Sequence, residues 1–351
     1  MALRAAVLAL SFSWAVPLLA GDWNPRLAAD YLDARQKAWF AWPTANRNGA
    51  PCVSCHTGMS YLLARPALRS ALGEAQPTEF ESGLLASLRS RVGKATPAEL
   101  FKNSAGPEAA RSAGVEAIFA ALFLARDDSP RGRLSAETET AFDRMWAMQI
   151  KAGASAGAWE WNTFDLDPWE MPESQFYGAA IAALATGEAP GGYQSRPAIR
   201  ENVQALVRYF QENEAAQPLH NRLVLLWAST KLHGAISKDA QHAIAAAARA
   251  KQEEDGGWTL ASLGAWKHRE AAPPAEGSNA YATALTAFVL RQVGSTDDPA
   301  VRRALGWLRA HQNAEGYWDA SSMNKKYAAG SMQLLFMRDA ATGFASLALA
   351  K

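Results

Sequence analysis

Residues 251–258 read Lys251-Gln252-Glu253-Glu254-Asp255-Gly256-Gly257-Trp258, and residues 311–318 read His311-Gln312-Asn313-Ala314-Glu315-Gly316-Tyr317-Trp318. Each stretch closes an Ala-rich segment with helical spacing of its apolar residues, over 237–251 and 298–311. Each is followed, past a loop, by an aromatic residue with small neighbours: Tyr281-Ala282-Thr283-Ala284 and Gly343-Phe344-Ala345. An earlier copy has Met148-Gln149, Gly157-Ala158-Trp159 and Tyr177-Gly178-Ala179-Ala180. The first and most degenerate copy has Arg35-Gln36-Lys37, Trp42 and Tyr61-Leu62-Leu63-Ala64. From the Gln to the second aromatic the gaps are 25, 28, 29 and 32 residues. A recurrence on this scale marks a chain built from one repeated supersecondary unit. The unit here is an outer helix ending in Gln, a Trp-bearing loop and an inner helix.

Helical periodicity also covers 111–125, 174–186, 198–212, 219–232, 280–292 and 339–350, with Gly, Pro, Asp and Asn clusters between them. Stretches 115–125 and 222–228 are apolar nearly all round, which predicts an inner helical layer under a more amphipathic outer one. Six hairpins are expected, roughly 26–72, 77–126, 135–186, 198–233, 237–293 and 298–350, enough to close a ring. The sequence thus predicts an all-α chain.

The Gln…Gly-x-Trp pattern resembles the repeats of the squalene–hopene cyclase and prenyltransferase-like superfamily, loosely over 26–351 and best over 245–350. That resemblance implies an α/α toroid, two concentric rings of helices around a central cavity. It also implies scaffold roles for Gln149, Gln252, Gln312, Trp159, Trp258 and Trp318. The acid motif of the superfamily's bacterial cyclases, D-x-D-D, has only a partial counterpart in Asp165-Leu166-Asp167-Pro168, and the diphosphate-ionising D-D-x-x-D pattern is missing.

The chain has 351 residues, 49% hydrophobic, with 35 basic against 34 acidic side chains. This balance gives no electrostatic case for a nucleic-acid partner. Both of its two cysteines fall in Cys52-Val53-Ser54-Cys55-His56. C-x-x-C-H is the pattern of c-type haem attachment: two thiols three residues apart add to the two vinyl groups, and the adjacent imidazole ligates the iron. A thioredoxin-like pair would need a βαβ context, a zinc site would need further ligands nearby, and a plain disulfide is the remaining alternative. The expected cofactor is one covalent haem c held by Cys52, Cys55 and His56.

Aligned by repeat, His56 lies five residues before Tyr61, as Asp339 lies five before Phe344. The haem site is therefore expected in the loop entering an inner helix, at the mouth of the cavity, with Trp42 and Tyr61 beside it. In a closed ring the loop 319–338 would pass close by, offering Met323, Met332 and above all Met337 as second axial ligand. Met171 and His268 lie in equivalent loops, whereas His220, His233, His242 and His311 are expected to be structural.

Residues 1–20 carry one charge, Arg4, then the uncharged run Ala5 to Ala20, and read as a signal peptide ahead of a single domain, 21–351. The expectation is an exported, periplasmic protein without a membrane span after cleavage. It would serve in electron transfer with a redox partner protein, or in oxidation of a small apolar ligand, as a haem-dependent oxidoreductase. The alternatives are a non-redox cyclase or lyase using Asp165 or Asp167 as acid, or a haem-based sensor. The sequence identifies no catalytic residue.

Overall fold

Twelve helices run through the residues described by the computed structural model, which are 23–46, 50–94, 106–266, 276–294, 297–322 and 325–350. They are α1 (Pro25–Ala41), α2 (Thr57–Leu72), α3 (Glu79–Val92), α4 (Pro107–Asp128), α5 (Ala136–Ala147) and α6 (Ser174–Glu188). There follow α7 (Arg200–Asn213), α8 (Leu219–Ser229), α9 (Lys238–Arg249), α10 (Ala280–Val293), α11 (Pro299–Ala310) and α12 (Phe336–Leu349). Strands are absent among the described residues, apart from one isolated bridge between Leu166 and Glu170. The expected leader, 1–20, lies outside the described residues.

Local chemistry sets where the helices start. Asn24 caps α1 ahead of Pro25, Thr78 and Glu81 form a reciprocal capping box on α3, and Ser135, Ser237, Asn279 and Asp298 cap α5, α9, α10 and α11. The even-numbered helices are buried nearly all round: Val115–Ala125 of α4 and Ala280–Leu290 of α10 are continuous runs of buried residues. The odd-numbered helices bury one face, as α9 does with Ile244, Ala245 and Ala248. Helix α2 packs on α12, α12 on α10, α10 on α8, α8 on α6 and α6 on α4. Outer helices α5, α7, α9 and α11 pack on the inner helix of the preceding hairpin, α4, α6, α8 and α10, while α1 and α3 pack on their own partners, α2 and α4. The fold is an α/α toroid of six hairpins, as the repeat predicts.

The repeated glutamine explains how neighbouring hairpins are stitched together. Gln149 Nε2 donates to Gly157 O at 3.0 Å and to Asn202 O on α7 at 2.9 Å. Gln252 repeats this with Gly256 O and Ala300 O on α11, both at 2.8 Å. Gln312 binds Gly316 O and Asn24 O, both at 3.0 Å, so the last repeat grips the first helix as the others grip the next. Glycine is required at the loop position because φ is +99° at Gly157, +92° at Gly256 and +93° at Gly316. A Cβ there would also strike the backbone of the following outer helix, at Ala205, Arg303 and Leu27 respectively. The repeat tryptophans donate their indole N–H to the outer helix of the same hairpin: Trp159 to Met145 O at 2.6 Å, Trp258 to Ala248 O and Trp318 to Leu308 O at 2.7 Å.

Candidate functional site

The first repeat departs from this scheme, and its departure builds the site. No Gly-x-Trp turn follows Gln36; the loop instead leads through Cys52–His56 straight into α2. Trp39 on α1 turns its indole N–H to the Cys52 carbonyl, at 2.8 Å. Ser54 makes the turn into the helix, its Oγ accepting from the backbone N–H of Thr57 at 3.1 Å and of Gly58 at 3.0 Å. Cys52 is half-buried, while Cys55 and His56 are buried. Both cysteines are thiols, not joined in a disulfide.

The two thiols and the imidazole open on one cavity of about 470 Å³. Trp39, Trp42, Val53 and Phe336 form its aromatic and apolar side. Across from them α4 presents Glu108, Ser112, Val115 and Glu116, at the spacing of one helical face. Asn162, Phe164 and Glu170 come from the 157–173 loop, Arg91 from α3, and Lys325 from the last hairpin. Among the described residues no three His, Cys, Asp or Glu gather into an ion site. A porphyrin supplies its own four nitrogens, so a single imidazole suffices for its iron.

His56 is held from several sides. The Phe336 ring stacks on it with centroids 3.5 Å apart and planes 17° from parallel, and Trp39 meets it edge-on at 5.6 Å. Its Nδ1 lies 3.0 Å from Thr57 Oγ1, and that hydroxyl is 2.7 Å from Asp339 Oδ2. Asp339 is fully buried and also takes Arg35 Nε at 2.7 Å, Arg35 Nη2 at 3.0 Å and the Tyr31 hydroxyl at 2.9 Å. Burial pushes the Asp339 carboxyl up, and Arg35 and these donors pull it back. A carboxylate with four donors is an acceptor only, so the Thr57 hydroxyl must spend its hydrogen on it. The Thr57 backbone N–H donates to Nδ1 at 2.8 Å as well as to Ser54 Oγ at 3.1 Å, so Nδ1 is engaged by both the backbone and the hydroxyl of Thr57. A proton on Nδ1, shared with Thr57 Oγ1, is the tautomer that would leave Nε2 free for a metal. Burial first, and the Arg35 charge second, hold the imidazole pKa well below its usual value, so the ring is neutral.

Glu170 is the cavity residue that sequence reasoning missed. It is only 6% exposed, and burial pushes its carboxyl up to about 7 against the opposing pull of a Cys55 hydrogen bond and Lys325. Burial, with Glu170 adding to it, likewise pushes the Cys55 thiol up. Nothing in the spacing of Trp169-Glu170-Met171 distinguishes this acid from Asp165 or Asp167 nearby. Only the fold brings it across to Cys55.

The other expected residues divide. Trp42 is on the cavity wall. Tyr61 is not: it is buried between hairpin partners, where its hydroxyl meets Asp33 Oδ1 at 2.8 Å and Thr78 Oγ1 at 2.7 Å. The last hairpin does pass the site, but α12 begins at Phe336 and presents that ring to His56. Met337, the next residue, is turned about 100° away by the helical step and is buried off the wall. Met332 receives Arg35 Nη2 at 3.4 Å, and Met323 and His268 lie outside the described residues. Asp167 and Met171 line a second cavity of about 300 Å³ with Glu173, Asn221 and Trp266; Asp165 lies on neither cavity wall.

Together these features define an α/α toroid whose first hairpin carries two thiols and a neutral imidazole on the wall of a cavity. Residues 223–350 match the family described as squalene-hopene cyclase C-terminal domain, a stretch from α8 to α12 that leaves out the cysteine motif. A solved glycosidase structure has a TM-score of 0.54 at 14% sequence identity, covering 93% of this chain and 96% of that chain. At that identity the likeness is one of fold. A search of curated proteins returned no match.

Proposed function

We propose that this chain is an exported monohaem c-type cytochrome on a cyclase-like toroid, acting in electron transfer or in oxidation of a ligand held in the cavity. The observation that carries the reading is that both thiols and the imidazole of the C-x-x-C-H motif line one cavity, with the imidazole neutral and its Nδ1 engaged. When bound, haem c supplies one-electron exchange at iron. Cys52 and Cys55 would hold it covalently, and His56 Nε2 would face the metal. The donor set fits the group. Thiols add to vinyl carbons, Trp39, Trp42 and Phe336 supply an aromatic enclosure, and Arg91 and Lys325 are cations on the same wall for the porphyrin carboxylates. Arg91 is nearly fully buried, and its Nη1 has no partner among the described residues, so it holds an unused donor there.

The chain's own residues do the rest. Thr57 and Asp339 fix the imidazole's orientation and raise its electron donation. The Phe336 and Trp39 rings shield His56 from water. The polar face of α4 offers hydrogen-bonding groups to a ligand in the same cavity, which supports oxidation of a cavity ligand as the second form of the role. An acid-catalysed cyclase would have to use the second cavity, because Asp167 lines that one and neither Asp165 nor Asp167 lines the cysteine cavity.

The test is expression into a periplasm with a covalent haem-attachment system, followed by denaturing extraction and absorption spectra with and without carbon monoxide. Haem that survives denaturation and is lost in a Cys52→Ser, Cys55→Ser double variant supports the reading. Protein that carries no covalent haem overturns it. Carbon monoxide binding separates ligand chemistry from plain electron transfer.

A further inference from the structure

The N-terminal ends of inner helices α8 and α10 hold, with Trp169 of the 157–173 loop, a hydrogen-bonded aromatic run whose polarity is fixed atom by atom. Trp169 Nε1 can only donate, and it donates to the Tyr281 hydroxyl at 2.9 Å. The Tyr281 hydroxyl is also 2.9 Å from His220 Nε2. His220 Nδ1 is 3.0 Å from Asn221 Oδ1, and the Asn221 amide nitrogen donates elsewhere, to Glu173 O at 3.1 Å and to Gln217 Oε1 at 3.0 Å. Asn221 Oδ1 is therefore an acceptor, Nδ1 carries the imidazole proton, and Nε2 is a bare lone pair facing the phenol. Trp169, Tyr281 and His220 are all fully buried or nearly so.

The run connects the two cavities. At one end the Trp169 ring lies 6.1 Å from that of His56, centroid to centroid, and 5.2 Å from that of Tyr281. At the other end His220 lies 5.9 Å from Trp266, on the wall of the second cavity. Tyr177 is equally buried, but its hydroxyl meets the weak acceptor Met59 Sδ, at 3.1 Å. Tyr31 hydrogen-bonds to a carboxylate already neutralised by Arg35. Of these three phenols, Tyr281 is the one whose hydroxyl is hydrogen-bonded to a neutral imidazole; the Tyr177 ring stacks on His220, centroids 5.7 Å apart, without such a bond.

We propose that Tyr281 is a redox-active tyrosine paired with His220, and that Trp169 and Trp266 relay electron holes between it and the two cavities. Loss of one electron from Tyr281 to a strong one-electron oxidant breaks the phenolic O–H bond. The proton forms a new bond to His220 Nε2, leaving a neutral phenoxyl radical beside an imidazolium, while the oxidant gains the electron. The transfer avoids a charged phenol cation in a buried site, whose cost is what makes isolated buried tyrosines hard to oxidise. The Trp169 N–H remains to hydrogen-bond the radical oxygen. Burial lowers the His220 pKa to about 4, which keeps the acceptor unprotonated beforehand. The pair stands whether or not haem is attached, and its Trp169 end meets the imidazole that the proposed haem would use.

The experiment uses the purified chain and a photogenerated ruthenium(III) polypyridyl oxidant, with freeze-quenched electron paramagnetic resonance. A long-lived tyrosyl signal is expected, lost in Tyr281→Phe and shortened in lifetime in His220→Gln, with slower formation in Trp169→Phe. Circular dichroism checks that each variant folds, and His220→Gln keeps the test intact if Tyr281→Phe does not. A signal unchanged in both Tyr281→Phe and His220→Gln, or radicals on tryptophan alone, overturns the proposal. Because the oxidant is external, this outcome is read separately from the covalent-haem assay.

Discussion

Thr57 Oγ1 donates to Asp339 Oδ2 across 2.7 Å, joining the first residue of α2 to the first turn of α12, 282 residues later in the chain. Through Thr57 the carboxylate reaches His56, its own counterpart in the repeat alignment. The same position in two hairpins has become an imidazole in one and its support in the other.

Removing the links of this chain should cost different amounts. Thr57→Val deletes the hydroxyl between two buried groups and should destabilise the fold by about 1–3 kcal/mol. Asp339→Asn leaves the Arg35 guanidinium without its carboxylate and should cost more, about 3–5 kcal/mol. Urea unfolding of the two variants gives the ranking directly. In protein carrying covalent haem, both should also raise the reduction potential, because a less basic imidazole stabilises the oxidised iron less.

In protein carrying covalent haem, Met337→Leu should leave the absorption spectrum unchanged in both oxidation states, since Phe336 occupies the wall beside His56. Phe336→Ala should alter it and, by deleting a ring stacked on His56, lower stability by about 3–5 kcal/mol. Spectra of the two variants side by side decide between adjacent residues.

The ring closure can be tested at one glycine. Gly316→Ala forces a Cβ into the Leu27 backbone at a φ of +93°, so it should destabilise by more than about 2 kcal/mol. Gln312→Ala loses the bonds to Asn24 O and Gly316 O and should cost about 1–3 kcal/mol. Thermal melts should order them Gly316→Ala below Gln312→Ala below the parent chain.

Acid should weaken the toroid core through His220. Its folded-state pKa is depressed to about 4 by burial, so between the unfolded value of about 6.5 and that point the unfolded chain binds the proton that the folded chain refuses. The stability from this group is intact above pH 6.5, falls as pH drops toward 4 and levels off below. The whole decline amounts to roughly 3 kcal/mol. His220→Gln should flatten that part of the pH–stability curve.

The toroid was legible because its contacts are periodic. Gln252, Gln312, Gly256 and Gly316 perform the same local task in each copy, so the sequence repeats them. The six hairpins follow, as does the nearness of residue 339 to residue 56. The cavity was legible only where one segment supplied it: Cys52, Cys55, His56 and Trp42 all belong to the first hairpin. Glu170, Arg91 and Phe336 reach the same space from other hairpins, and no spacing rule connects them. Met337 lies beside the wall residue Phe336 and not on the wall, a difference of one residue that a loop of 20 residues cannot reveal, because it does not show where the next helix begins. The Trp169–Tyr281–His220 run was invisible for a related reason. Each member sits on a different hairpin, and His220 alone looks like any core histidine.

The wall over the cysteines is finished by Lys325, Tyr327, Gln333 and Phe336, all from the final hairpin, and that hairpin is fastened to α1 by Gln312. This gives the chain an order of assembly. During synthesis residues 52–56 emerge long before residues 312–336 exist to roof them. A bulky planar group can thus be laid against the thiols while the space is still open at the side. Once the last hairpin docks, that side is walled off by Phe336 and its neighbours, and the cavity meets solvent where Glu108 and Phe164 are exposed.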